Sequence, residues 1–176
     1  VRGFAHNKHV FINQSYYEGQ YNNRGAISTL SDTQFVFNSS SSDYSTADGL
    51  NENNINYVAW NWEAGGAVSA GNNTDGDITS TVSANTTAGF SIVTWTPNGS
   101  ATDRVGHGLG VAPTLLTYKG LGGAIDWYVW FNHNGSERQI NIPATAGDRE
   151  WNVSRDGSNI NATGFSNAQW DAPTYG

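Results

Sequence analysis

Residues 57–113 read YVAWNWEAGGAVSAGNNTDGDITSTVSANTTAGFSIVTWTPNGSATDRVGHGLGVAP, and this stretch decides the fold. Two aromatic runs, YVAWNW at 57–62 and FSIVTW at 90–95, carry the ring-bearing and β-branched side chains that suit a pleated surface. Between them lies an Asn/Thr/Ser/Gly stretch in which Gly65-Gly66 and Gly71-Asn72-Asn73 interrupt regular structure and Asp75-Gly76 is a tight-turn dipeptide. Residues 78–82 alternate apolar and polar, which predicts an edge strand with few buried contacts. Pro97-Asn98-Gly99 turns the chain, Pro presetting one dihedral and Gly supplying another. A Gly-His-Gly-Leu-Gly turn at 106–110 and Pro113 close the stretch.

Outward from it, the same signals repeat. Short strands are predicted at 9–13, 34–38 and 55–62 on the N-terminal side. On the C-terminal side they are predicted at 115–119, 127–132, 139–142 and 150–154, with 160–165 returning after the Asp156-Gly157 turn. Many short strands with turn signals between them predict an all-β protein, a sandwich-like module of antiparallel strands in two small lobes. The composition shift at the Gly/Asn/Thr-rich segment divides the chain into a first β lobe at 1–63, a connector or arm at 64–88, and a second β lobe at 89–176.

Composition supports this class. In 176 residues, aromatics make up 12% while Met and Cys are absent, so the core must be built on rings. No window repeats apolar residues at helical spacing. The net charge of −7 leaves no basic stripe for nucleic acid and no attraction to an anionic membrane. Zero cysteines exclude a disulfide scaffold and thiolate metal sites. No apolar run is long enough to insert as a membrane helix. The chain opens on Val1 without Met, which reads as processing or as a piece of something longer.

The runs at 73–92 and 105–113 resemble the repeated β-module of virion structural and tail-fibre-like proteins of tailed bacteriophages, especially marine ones; the Gly106-His107-Gly108-Leu109-Gly110-x-Ala112-Pro113 pattern marks that family. A faint internal echo, Phe4-x-His6-Asn7 against Phe131-x-His133-Asn134, fits a module that occurs in tandem. On this resemblance, 1–63 is the back half of one copy and 89–176 the front of the next. The resemblance implies a non-enzymatic component of the virion surface, part of a tail fibre or appendage with a host-adhesion role. Its partners would be other virion proteins, further copies of itself (a trimer, as in fibres), and a host-surface glycan. A capsid decoration protein and a carbohydrate-binding lectin module are the alternatives. An acidic chain without cysteine fits folding in a bacterial cytosol followed by exposure outside.

The residues themselves offer limited chemistry. On a strand, Tyr128 and Trp130 share one face and Trp127, Val129 and Phe131 the other. If the first face is open, Tyr128 and Trp130 form an aromatic platform which, with Asn132 and His133 beside it, suits sugar stacking and hydrogen bonding; these four are the candidate ligand-binding residues. The bland reading buries both faces. Trp60 and Trp62 raise the same question. His107 between glycines is either an accessible imidazole or a turn cap. His6 and His9 fall on opposite strand faces, and Asp75-Gly76-Asp77 lacks the downstream Glu of a calcium loop, so no metal ligand is assigned. Glu63, Glu137, Asp148 and Glu150 read as surface acids rather than a glycosidase pair, and no nucleophile elbow or phosphate loop occurs. Neither a catalytic residue nor a cofactor is implied.

Overall fold

The computed structural model of the chain describes residues 26–30, 34–38, 54, 56–66, 68–100, 103–133, 136–142, 151–152 and 160–166. Among them there is no helix, and every named strand pairs antiparallel. The fold is all-β, built from small antiparallel sheets.

Three sheets have two strands each. β1 (Ala26–Leu30) pairs with β2 (Phe35–Asn38) through a register irregularity between Ile27 and Thr29. β3 (Ser80–Asn85) and β4 (Phe90–Trp95) form a regular hairpin, Ser80 opposite Trp95 and Asn85 opposite Phe90. β5 (Arg104–Gly106) finds its partner far along the chain in β10 (Gly164–Ser166). The fourth sheet is a meander, β6 (Leu115–Tyr118), β7 (Trp127–His133), β8 (Ser136–Ile142) and β9 (Trp151–Asn152), in that order.

Ile78, Val105 and Phe165 form the buried core, with Val93, Trp95, Leu116 and Ile160 packed against it. The Trp95 and Phe165 rings meet edge to face, centroids 5.5 Å apart, the arrangement their quadrupoles favour. Leu116 brings the meander onto this core and Val93 brings the β3–β4 hairpin. Each such fully buried side chain contributes about 1.5–3 kcal/mol relative to exposure.

The strand at 78–82 differs from expectation. The ladder starts at Ser80, and Ile78, Ser80 and Val82 are all buried. The alternation is correct, but the contacts come from distant segments that periodicity cannot foresee: Ile78 bridges in parallel to Val105, and residues 71–73 cover the outer edge of β3. The stretch 64–88 therefore supplies core as well as connection. The predicted strand at 55–62 differs too. Residues 56–62 join no ladder among the described residues. β1 gave no signal in its sequence, since Ala26-Ile27-Ser28-Thr29-Leu30 has no aromatic and no flanking turn dipeptide. The strand predicted at 9–13 and the echo at Phe4–Asn7 lie outside the described residues.

Candidate functional site

The runs at 73–80 and 104–108 converge on one joint between β3, β5 and β10. Asn73 and Ser80 exchange both backbone hydrogen bonds at 3.0 Å, closing the loop that carries Asp75 and Asp77. Asn73 Nδ2 donates to Asp75 Oδ2 at 2.9 Å, and the Arg104 N–H donates to Asp77 Oδ2 at 3.0 Å. The two carboxylates of this calcium-like run thus accept from donors of the protein itself. A Cβ on Gly106 would lie 1.9 Å from Asn73 Oδ1, so only glycine leaves room for that side chain. The Ser80 hydroxyl donates to Gly106 O at 3.1 Å, and Arg104 Nη2 reaches Gly164 O at 2.6 Å.

His107 lies in the same joint and is 2% exposed. Its Nδ1 accepts the Leu109 N–H at 3.1 Å, and its Nε2 stands 2.9 Å from Asn161 O. A backbone N–H can only donate and a carbonyl can only accept. The network therefore assigns the neutral ring with its proton on Nε2. Gly108 follows in the left-handed region at φ 69°, where a side chain is strained, and its missing Cβ leaves space for Val82. This is the turn-capping role. Among the described residues no cluster of His, Asp or Glu is arranged to hold a metal.

Three asparagines that sit in Asn-x-Ser/Thr patterns organise turns. Asn161 Oδ1 accepts from Thr163 N, Thr163 Oγ1 and Gly164 N, each at 3.0 Å. Asn85 Oδ1 accepts the Ala88 N–H at the β3–β4 turn. Asn98 Oδ1 accepts the Ser100 N–H while its Nδ2 donates to Asp103. The available signal was the Asx turn, in which an Asn side chain bonds the backbone two residues on.

The aromatic pair singled out in the sequence comes together, but on a covered face. Tyr128 and Trp130 stand opposite Tyr118 and Leu116 of β6, and Leu116 packs on the core. Trp130 is 9% exposed and Tyr128 is half-buried. The Tyr118 and Tyr128 rings stack at 5.0 Å and 10°, so one face of Tyr128 is already occupied. Burial, and then the neighbouring Tyr128, pushes the Tyr118 phenol far above its ordinary range, so it stays neutral. Neither ring of the pair offers an open platform. Asn132 and His133 end β7, paired with Glu137 and Ser136; their side chains lie outside the description.

The open aromatics lie elsewhere, on residues 56–66. Gly65 packs so closely on β3 that a Cβ would sit 2.0 Å from Ala84 O. The Ser83 hydroxyl donates to Gly66 O at 2.7 Å, and Asn85 Nδ2 donates to Glu63 O at 3.4 Å. Trp62 stacks on Phe90 with centroids 5.9 Å apart. Trp60 is 77% and Trp62 64% exposed.

A family model described as a domain of unknown function, DUF7483, matches residues 1–173, and the chain belongs to that family. No curated protein and no solved structure matches it.

Proposed function

We propose that this chain is a non-enzymatic structural module of a tailed-bacteriophage particle, part of a tail fibre or other appendage at the virion surface, that associates with further copies of itself. The observation that carries this reading is where the resemblance falls. Asn73, Gly106, His107 and Gly108, within the runs that resemble phage modules, spend their polar atoms and close contacts on internal bonds. Residues used this way specify a shape rather than a reaction.

The test is composition of the particle. Mass spectrometry of gradient-purified virions encoding this chain should recover its peptides at a fixed stoichiometry. Their absence from intact particles would refute the proposal.

Exposed Trp60 and Trp62 favour a second reading, a carbohydrate-binding module. Titration of a broad glycan panel against intrinsic Trp fluorescence checks it; unchanged emission throughout would remove it.

A further inference from the structure

We infer that Asn98-Gly99 is a site of spontaneous deamidation, that Asp103 and Ser100 clamp it unreacted in the folded chain, and that the product cannot re-form the clamp.

The dipeptide carries the reaction. The Gly99 amide nitrogen adds to Asn98 Cγ, forming a C–N bond as that nitrogen loses its proton. The Cγ–Nδ2 bond then breaks and ammonia leaves, which closes a cyclic imide. Water opens the imide at either carbonyl. The products are an aspartate and its isomer, whose backbone runs through the side-chain carbon. Glycine suits the attacking position because no Cβ hinders the approach. Both residues are exposed, and a Cβ on Gly99 would meet nothing within 4 Å, so water reaches the site.

The fold holds both polar atoms of the carboxamide. Asn98 Oδ1 accepts the Ser100 N–H at 3.0 Å, and Nδ2, the leaving group, donates to Asp103 Oδ2 at 2.7 Å. The Ser100 hydroxyl in turn fixes Asp103, donating to its Oδ1 at 2.7 Å. Addition makes Cγ tetrahedral and tilts Oδ1 and Nδ2 out of their common plane, so these bonds must give before the product forms. The Ser100 N–H alone would favour the negative charge that develops on Oδ1. Asp103 decides the sign. Its carboxylate opposes that charge from hydrogen-bond range and keeps the leaving nitrogen engaged.

Conversion runs one way. It exchanges the Nδ2 donor for a second acceptor, which sets a carboxylate against Asp103 where a donor now stands. Like charges that close repel. The next residue, Arg104, begins β5, its N–H on Asp77 and its Nη2 on Gly164 O, so the lost pairing lies directly beside the β5–β10 joint.

The test is the full chain incubated in mildly alkaline buffer, digested and read by mass spectrometry. Unfolded in guanidinium, Asn98 should convert alongside Asn134 of the chain's other Asn-Gly pair. In native buffer, conversion at Asn98 should slow by about three- to tenfold, the factor that one hydrogen bond supplies. Asp103→Ala should return it towards the unfolded rate, with circular dichroism confirming the fold. Asp103→Asn keeps an acceptor without the charge and should fall between, and it carries the comparison if Asp103→Ala does not fold. Conversion as fast in the native chain as in the unfolded one overturns the inference, and so does a native rate unchanged in these variants. Asn98→Asp should lower the thermal midpoint. Combining it with Asp103→Asn should restore it, donor and acceptor exchanged across the pair; no recovery overturns the claim that the product cannot close the clamp. None of these results touches particle composition, which is read on virions.

Discussion

Asn72 faces Val82 as a side-chain amide against a peptide group: Nδ2 donates to Val82 O at 3.0 Å, and the Val82 N–H donates to Asn72 Oδ1 at 2.8 Å. On its other side Val82 is registered with Val93 of β4. One asparagine thus does the work of a neighbouring strand and closes the outer edge of β3, helped by Gly71 N–H donating to Thr81 Oγ1 at 2.8 Å.

Replacing Asn72 by Asp keeps the acceptor and removes the donor. Val82 O then faces a carboxylate instead of an amide. We expect a loss of about 1–3 kcal/mol in denaturant unfolding, the range for an unsatisfied buried polar group. A loss below the error of the measurement would show that the pairing is dispensable.

His107 tests the joint. Nitrogen NMR should find the ring neutral with its proton on Nε2; a proton on Nδ1 would contradict the assigned network. Replacement by Ala strands both the Leu109 N–H and the Asn161 carbonyl, and we expect about 2–4 kcal/mol of destabilisation.

Two glycines provide a contrast. A Cβ on Gly76 would sit 2.3 Å from the Arg104 carbonyl oxygen, a backbone atom that cannot swing away, whereas one on Gly122 meets nothing within 4 Å. Gly76→Ala should cost about 2–4 kcal/mol, at or beyond the usual range for overpacking, and Gly122→Ala within about 0.5. Equal effects would contradict the close crossing of residues 72–80 over β5.

Asp103 supplies a pH dependence. Hydrogen bonds from Ser100 and then Asn98, both 2.7 Å, hold its carboxyl below the ordinary 3.8. A carboxyl depressed by folding adds stability that is present above its unfolded value and lost as pH falls through the folded one. The loop at 98–103 should therefore be intact at neutral pH and loosen only below about pH 4. An NMR titration should place the Asp103 midpoint under 3.8 and show it rising in Ser100→Ala. A midpoint unmoved by that substitution would contradict the stated cause.

How much of this was legible in the sequence follows from the range of the interactions. β4, β6 and β7 were readable because each is rich in aromatic, Leu or β-branched residues with Pro or Gly close by on both sides. β1 was not, because its place depends on pairing rather than composition. Residues 56–62 have strand composition but join no ladder among the described residues, a distinction propensity cannot make. The exposure of the candidate rings was not legible. Alternation put Tyr128 and Trp130 on a common face but could not tell which face the core would take, and Leu116 decided that from β6. His107 was legible as a turn cap from its flanking glycines, although its partner Asn161, 54 residues away, was not.

The most direct test of the account is immunogold labelling of intact virions with an antibody to this chain. The account predicts gold along the tail fibres or appendages. Gold over the head would move the chain to capsid decoration, and particles that carry the gene yet bind no gold would contradict the claim that it is a virion component.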